Sequence, residues 1–305
     1  MKRVLVTGAG GFIGRHCVPR LIRRGFEVHA VSRRGAPIAA SDAHWHACDL
    51  LDAEQLAQLM AQVRPEGLIH FAWETTPAEY RTSVENLRWL RASIALVEEF
   101  ARCGGRRLVV AGTCAEYDWR CGFLSEGITA LRPATLYGVC KNRLREAVEA
   151  LAEAAALSWA WGRIFHLYGP CEAPERLVAS VIRELLAGGR ARCTSGLQVR
   201  DYLAVQDAAE AFAVLFDSDV KGPINVASGQ PVSVRGLIRM IGRQLDLVDR
   251  IEFGALSCGP EEPPLLVADV RRLCDEVGWR PKWSRAEGLA EAIRWWRESA
   301  QVRPG

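Results

Sequence analysis

Apolar residues in the first half of the chain follow two spacings, one typical of buried strands and one typical of helices. An unbroken apolar run at residues 4–6 leads into a glycine-rich stretch, and the apolar residues of 17–22 then repeat at helical intervals up to Gly25. A second strand pattern covers residues 27–31. This order of strand, helix and strand predicts a βαβ unit of an α/β protein with a parallel sheet.

The same alternation continues along the chain and then changes. Further strand patterns precede Cys48 and cover 67–72 and 107–111, and helical patterns begin near Ala53 and cover 83–102. Beyond Pro170 the pattern predicts helices joined by Gly/Pro turns. These helices are expected near Glu175–Ala187, Asp207–Phe216, Val234–Leu245, Asp269–Val277 and Arg285–Trp296.

The glycine-rich stretch after the first strand is the first candidate for chemistry. Glycine tolerates positive φ and lets a ligand approach the backbone, so such a turn can place a pyrophosphate against free N–H groups at a helix N-terminus. The spacing is not G-x-G-x-x-G, because Ile13 stands where the last glycine would be, and a turn that only reverses the chain is the alternative. The residues expected to bind a dinucleotide here are Gly8, Gly11, Phe12, Ile13 and Gly14.

Composition narrows the class of protein. The chain has 305 residues, of which 49% are hydrophobic and 25% charged, which is ordinary for a globular enzyme. Its ten cysteines show no C-x-x-C pair and no zinc-like spacing, so we expect a reducing compartment, the cytoplasm, and no metal site. The first apolar run is too short for a signal peptide, and no apolar run could cross a membrane. The formal charge of +3 is spread along the chain, which gives nucleic-acid binding no support.

The end of the second strand suggests which dinucleotide is bound. NAD enzymes usually place a carboxylate there to hold the adenosine ribose, whereas this chain has Ser32, Arg33 and Arg34. Because arginine binds phosphate through paired hydrogen bonds, we expect these residues to hold the 2′-phosphate of NADP(H) in preference to NAD(H). A solvated basic turn is the alternative.

A tyrosine and a lysine four residues apart provide the candidate catalytic pair. Tyr137 and Lys141 fall on one face of a helix, and Thr113 follows the strand pattern at 107–111. A phenol titrates near pH 10 in water, but a fixed ammonium group and a positive nicotinamide ring would lower its pKa toward neutrality. Thr113 would donate a hydrogen bond to the oxygen at the reacting carbon. Taken alone, a Y-x-x-x-K spacing occurs by chance and favours a surface Tyr/Lys pair.

Together these motifs resemble the extended short-chain dehydrogenase/reductase family, and the resemblance covers nearly the whole chain. It is carried by Thr7-Gly8-x-x-Gly11-x-x-Gly14, the Thr113 segment, Tyr137-x-x-x-Lys141, Arg163–Pro170, Arg200-Asp201-Tyr202 and Asn225–Gly229. The resemblance implies a Rossmann-like doubly wound parallel sheet at 1–165 and a smaller C-terminal substrate-binding lobe at 166–305. A segment near 203–227 is expected to return to the first domain. It also implies a homodimer formed through the helices near 83–102 and 135–155.

The resemblance assigns roles to further residues on the dinucleotide side. Asp49 and Leu50 match an Asp-Leu pair that contacts the adenine edge, although Asp49 could instead cap a helix. Phe71 and Ala72 match a segment under the nicotinamide ribose, where a small residue allows close approach. Lys141 would hold the ribose hydroxyls.

On the substrate side, Arg200 matches an arginine that contacts substrate phosphate, although it could instead pair with Asp201. His166 stands where many relatives have an asparagine that touches the sugar nucleotide, and Arg176 could provide a second phosphate contact. Two further residues carry weaker expectations: Asn86 matches an active-site polar network, and His70 reads as a packed strand histidine in preference to a base.

The motifs also limit the reaction. Sugar 4,6-dehydratases of the family carry Asp-Glu after the catalytic threonine, whereas Cys114 and Ala115 follow Thr113. Epimerases typically keep an acidic residue after the second strand, which Arg33 and Arg34 replace. The sequence therefore favours NADPH-dependent reduction of a keto group on a nucleotide-linked 4-keto-6-deoxy sugar, with Tyr137 as proton donor. A nucleotide-sugar epimerase and a non-catalytic dinucleotide-sensing protein are the alternatives.

Overall fold

The computed structural model describes residues 2–35, 42–77, 79–257, 259 and 262–302. The strands of the described chain are β1 (Arg3–Thr7), β2 (Glu27–Ser32), β3 (His44–Ala47), β4 (Gly67–His70), β5 (Arg107–Thr113), β6 (Phe123–Leu124), β7 (Ser158–Ile164), β8 (His166–Tyr168), β9 (Ala191–Cys193), β10 (Val199–Ala204), β11 (Gly222–Val226), β12 (Pro231–Ser233), β13 (Ile251–Phe253) and β14 (Leu265–Ala268). The α-helices are α1 (Gly14–Arg23), α2 (Ala53–Val63), α3 (Glu85–Arg102), α4 (Leu136–Ala154), α5 (Leu177–Leu186), α6 (Val205–Asp217), α7 (Val234–Leu245) and α8 (Arg285–Val302).

The first half of the chain contributes most of the strands of a seven-stranded sheet that has helices on both faces. Its strand order is β11-β7-β5-β4-β1-β2-β3, and all the pairs are parallel. One apolar cluster packs α1 and α6 against one face, and another packs α2, α3 and α4 against the opposite face. The predicted α/β class with a doubly wound parallel sheet is thus confirmed.

The chain enters this sheet a second time after it has left it. β10 belongs to another sheet, but α6 packs against α1, and β11 pairs with β7 from Gly222 opposite Ala160 to Val226 opposite Ile164. As a result, residues 205–226 lie in the layers of the seven-stranded sheet.

The remaining part of the chain contains strands as well as the expected helices. β12, β10, β14 and β6 form one sheet with β8 beside β10, β13 pairs with β9, and α5, α7 and α8 share a third apolar cluster. The expectation of helices alone beyond Pro170 was therefore wrong. The helix expected at Asp269–Val277 was also wrong, because β14 ends at Ala268 and a π-helical turn covers only Arg272–Glu276. None of the described helices combines the length and the hydropathy that crossing a membrane requires.

Candidate active site

The glycine turn between β1 and α1 depends on close backbone contacts. Gly8 has φ +66°, and a Cβ at this position would lie 2.7 Å from the nitrogen of Ala72. A Cβ at Gly14 would lie 2.2 Å from the carbonyl oxygen of Gly8, and the Gly11 N–H donates to that same oxygen at 2.9 Å. Side chains at these positions would force the turn apart.

The turn leaves hydrogen-bond donors free at the start of a helix. The backbone N–H groups of Phe12 and Ile13 stand before α1 and donate to no residue in the described part of the chain. Both residues line a cavity of about 370 Å³. Free N–H groups at the positive end of a helix dipole are what a dinucleotide pyrophosphate requires, so the residues present fit this group.

Buried polar side chains next to the glycine turn are joined by hydrogen bonds. The two ring nitrogens of His70 lie 2.7 Å from Thr7 Oγ1 and 2.8 Å from Ser93 Oγ. Burial, with a smaller effect from the charge of Lys141, lowers the pKa of His70 to about 3. A neutral imidazole with both nitrogens engaged is placed as a packed strand histidine and does not reach the cavity.

The basic turn after β2 is exposed. Arg33 and Arg34 both face solvent, and neither forms an ion pair with a residue in the ranges that the structure describes. The Ser32 hydroxyl donates to the Gly35 carbonyl at 2.5 Å, so it stabilises its own turn. A Cβ at Gly10 would lie 3.7 Å from the Ser32 Cβ, which places this turn beside the glycine turn.

The Asp49 and Leu50 pair follows β3. Asp49 Oδ1 accepts from the Leu51 N–H at 3.0 Å, and Leu50 is buried. Asp52 caps α2 by accepting from the N–H groups of Glu54 and Gln55, so capping that helix does not occupy Asp49.

One cavity brings together residues predicted for three different roles. Phe12 and Ile13 of the glycine turn, Thr113 and Tyr137 of the catalytic set, and His166 and Arg176 of the substrate set all line it. Sequence reasoning assigned no role to several other lining residues, among them Tyr80, Arg81, Glu172 and Tyr202. No helical or strand pattern identified the first two, because they lie in the loop between β4 and α3.

The start of α4 fixes Tyr137. Thr135 Oγ1 accepts from the Gly138 N–H at 3.2 Å, and the Tyr137 N–H donates to the Arg81 carbonyl at 3.1 Å. Burial, and the nearby Tyr80, raise the pKa of Tyr137, whereas a hydrogen bond with Thr113 acts in the opposite direction. Among the protein's own groups the balance therefore raises the pKa of Tyr137 above its ordinary value. The lowering expected from Lys141 together with a nicotinamide ring stays a prediction.

Lys141 lies one turn further along α4, and its side chain is 2% exposed. Its Nζ donates to the Ala111 carbonyl at 3.0 Å and lies 3.9 Å from the centre of the Trp73 ring. Burial lowers the pKa of Lys141 to about 7, and the charge of Glu116 opposes this shift. The lysine is therefore held behind the cavity by a carbonyl and an aromatic face.

A buried carboxylate holds the Thr113 segment from behind. Glu116 Oε1 accepts from the Thr113 N–H at 2.8 Å, and Glu116 Oε2 forms an ion pair with Arg163 Nε at 2.8 Å. The Trp161 Nε1 donates to the same carboxylate at 2.9 Å. Because Glu116 and Arg163 are almost fully buried, this carboxylate faces the core and not the cavity.

Arg200 has a partner that sequence reasoning did not identify. Its guanidinium is buried and forms an ion pair with Glu262, and it does not line the cavity. The alternative pair with Asp201 does not form, because Asp201 Oδ1 accepts from the N–H and the hydroxyl of Ser228 at 2.8 and 2.6 Å.

Arg176 and His166 face the cavity from the C-terminal part of the chain. Arg176 Nη2 donates to the Thr75 carbonyl at 3.1 Å, and its Cζ lies 5.1 Å from the centre of the Tyr80 ring. The buried His166 Nε2 has no hydrogen-bond partner among the described residues. Burial and the charges of three arginines lower the pKa of His166 to about 3, so the imidazole is neutral.

Asn86 stabilises the loop between β4 and α3. Its side-chain nitrogen donates to the carbonyls of Tyr80 and Ser83 at 2.6 and 2.8 Å, and its Oδ1 accepts from Trp73 Nε1 at 2.8 Å. Asn86 therefore reaches the site through Trp73 and does not line the cavity itself.

Comparisons of sequence and of structure identify proteins that are similar to this chain. A family model described as the NAD dependent epimerase/dehydratase family matches residues 4–227. A UDP-glucose 4-epimerase of Mycolicibacterium smegmatis is 27% identical over 98% of this chain and its own full length. UDP-glucuronic acid decarboxylase 1 of Xenopus tropicalis is 25% identical over 98% of this chain and 73% of its own length. MoeE5, solved with UDP-glucuronic acid and NAD, is 30% identical with a TM-score of 0.83, over 97% of this chain and 99% of its own.

Proposed function

Since the chain belongs to the NAD dependent epimerase/dehydratase family, we propose that it is a nucleotide-sugar 4-epimerase. One observation carries the proposal. Thr113 and Tyr137 share a cavity with Phe12 and Ile13, whose free N–H groups fit a dinucleotide pyrophosphate. The relatives include UDP-glucose 4-epimerases, so we take a UDP-hexose as the substrate.

The side chains have separate roles in this proposal. The bound dinucleotide would supply reversible hydride transfer at the sugar carbon. Tyr137 removes the proton from the sugar hydroxyl and returns it, and Thr113 donates a hydrogen bond to the same oxygen. Lys141 would hold the nicotinamide ribose hydroxyls, and its charge would stabilise the phenolate that Tyr137 becomes.

The Thr113 segment favours epimerisation over dehydration. Dehydration requires an acid and a base beside the threonine, whereas Cys114 and Ala115 follow it. The next carboxylate, Glu116, is occupied by Arg163, Trp161 and the Thr113 backbone. A carboxylate that is buried and fully hydrogen-bonded is not available to move protons for a substrate.

The remaining predicted residues serve ligand binding in the same proposal. Gly8, Gly11 and Gly14 would shape the turn that receives the pyrophosphate. Asp49 and Leu50 would contact the adenine, and Phe71 and Ala72 would lie under the nicotinamide ribose. His166, Arg176 and Arg200 bind the nucleoside diphosphate of the substrate. Arg200 can do so only by exchanging Glu262 for phosphate.

NADPH-dependent reduction of a nucleotide-linked keto sugar is the second candidate, and one observation favours it. Arg33 and Arg34 are exposed after β2 and have no ion-pair partner in the described part of the chain, as a 2′-phosphate site requires. The neighbour MoeE5 was solved with NAD, which favours the first candidate.

The test is to incubate the enzyme with UDP-glucose and NAD and to analyse the sugar products. Formation of UDP-galactose with no net change in the absorbance of reduced nicotinamide supports epimerisation. The proposed activity is reduction instead if the enzyme forms no isomer from UDP-glucose and steadily consumes NADPH with a nucleotide-linked 4-keto-6-deoxy sugar.

The proposed assembly is a homodimer in which α3 and α4, which pack against each other, form the contact. Leu87 on α3 and Val139 on α4 leave apolar side chains exposed, at 42% and 38%. Light scattering that gives the mass of a monomer at micromolar concentration would contradict it.

A further inference from the structure

Glu172 is the one carboxyl group among the residues that line the cavity, all of which lie in the described part of the chain. It is 5% exposed, and its Oε2 has no hydrogen-bond partner among the described residues. A buried polar atom without a partner is rare in folded proteins and costs stability, so its presence in a ligand cavity requires an explanation.

The surroundings of Glu172 leave this oxygen unused by the protein. Backbone hydrogen bonds at Gly169 and at Ala179, in the first turn of α5, engage the carboxyl group. The charged or titratable side chains that act on it are Arg176, at the start of α5, and Tyr202 of β10. Neither forms an ion pair with it, so no counter-charge compensates for burial of the carboxylate form.

We propose that Glu172 binds the sugar of the substrate by donating a hydrogen bond from its carboxyl Oε2 to a sugar oxygen. The inference rests on the proposed function, because it requires a nucleotide sugar in this cavity. It adds a residue that the catalytic set does not contain, on the wall formed by the segment between β8 and α5.

The protonation of Glu172 agrees with a donor role. Burial raises the pKa of this carboxyl group to about 8, and the charge of Arg176 and the backbone hydrogen bonds reduce that shift without cancelling it. At neutral pH the group is mostly a neutral acid, which has an O–H to donate. Above its pKa the O–H is lost, and the hydrogen bond to the sugar is lost with it.

Calorimetry with two probes separates a sugar contact from a structural role. UDP-glucose carries the sugar and UDP does not, so their dissociation constants are measured for the wild type, Glu172→Gln and Glu172→Ala. We expect Glu172→Ala to weaken the binding of UDP-glucose about tenfold and to leave the binding of UDP unchanged, because only UDP-glucose loses a hydrogen bond. Glu172→Gln keeps a donor at the same place and is expected to retain UDP-glucose binding within about threefold.

Glu175→Gln is the matched control, since Glu175 is exposed in the same turn. It should bind both probes as the wild type does. If Glu172→Ala weakens UDP and UDP-glucose equally, the residue serves only to shape the start of α5, and the inference is overturned. Unchanged UDP-glucose binding in both Glu172 variants overturns it as well.

A pH series provides the readout that a structural role would not affect. Wild-type affinity for UDP-glucose should fall as the pH rises through about 8, whereas the affinity of Glu172→Gln should stay constant over the same range. Parallel pH profiles for the two proteins overturn the inference alone. A wild type that binds neither UDP nor UDP-glucose overturns the proposed function together with it.

Discussion

The ammonium group of Lys141 lies 3.9 Å from the centre of the Trp73 ring. The ring is fixed in turn, because Trp73 Nε1 donates to Asn86 Oδ1 at 2.8 Å. The same ammonium group also donates a hydrogen bond to the Ala111 carbonyl at 3.0 Å. An electron-rich ring compensates a desolvated cation, so Trp73 keeps Lys141 both in place and chargeable.

Replacing Trp73 by leucine is therefore expected to change the titration of Lys141. Loss of a cation–π contact of about 1–2 kcal/mol should lower the pKa of the lysine by about one unit. Burial already brings this pKa to about 7. Because the proposed mechanism uses the charged form, which is lost as pH rises, kcat should decline at a pH about one unit lower in Trp73→Leu.

Trp73→Phe is the matched variant, because it keeps an aromatic face while it loses the indole N–H and part of the ring area. Its kcat against pH should follow the wild type more closely than that of Trp73→Leu. Identical pH profiles for the leucine and phenylalanine variants would show that the ring does not act on the lysine.

Tyr137→Phe should reduce turnover by a factor of about 10²–10⁴, because the phenol is the group that removes and returns the proton of the sugar hydroxyl in the proposed mechanism. Affinity for NADH, measured by fluorescence, should stay within about threefold of the wild type, since only one hydroxyl is removed. Tyr168→Phe serves as control, because Tyr168 is buried away from the cavity. A Tyr137→Phe enzyme with full activity would exclude the proposed mechanism.

Changing Arg33 and Arg34 together to alanine tests the choice of dinucleotide. If they hold a 2′-phosphate, binding of NADPH should weaken about tenfold or more while binding of NADH stays unchanged. Arg23→Ala removes an exposed arginine at the end of α1 and should change neither. A wild type that binds NADH and NADPH equally, or prefers NADH, would mean that the basic turn is only solvated.

Arg163→Met should destabilise the fold strongly. It leaves Glu116 buried without its counter-charge, and breaking a buried ion pair by removing one partner typically costs about 3–5 kcal/mol. The change is measured as the free energy of unfolding in urea. Arg88→Met breaks an exposed pair with Glu85 and should cost less than about 1 kcal/mol. Similar losses of unfolding free energy in Arg163→Met and Arg88→Met would contradict the conclusion that burial makes the loss of a counter-charge more costly.

The parts of the fold that could be predicted are those with strong local periodicity. The buried apolar runs of β1 and β4 and the amphipathic helices α1 and α3 follow apolar spacings that can be identified directly in the sequence. Strands β9, β12 and β13 have three residues each, which is too short for a period-2 pattern. Their pairing depends on segments distant in sequence, and no local signal encodes it.

The site could be predicted to the same extent. Thr113, Tyr137 and the glycine turn belong to spaced motifs, and the structure brings all three to one cavity. Tyr80 and Glu172 lie in loops whose position is set by tertiary contacts, so only the folded chain places them. The pKa of Tyr137 depends on burial, which the sequence does not show and which raises it, so the lowering expected beside a nicotinamide ring stays a prediction.

The pair between Arg200 and Glu262 has a consequence for ligand affinity. If Arg200 binds substrate phosphate as proposed, the phosphate must displace a carboxylate of the protein, so binding there would be an exchange and not an addition of charge. The measured affinity then reports the difference between two partners of one arginine. A substitution that weakens the ion pair of Glu262 with Arg200 should therefore raise the affinity for phosphate, although Glu262 does not contact the ligand.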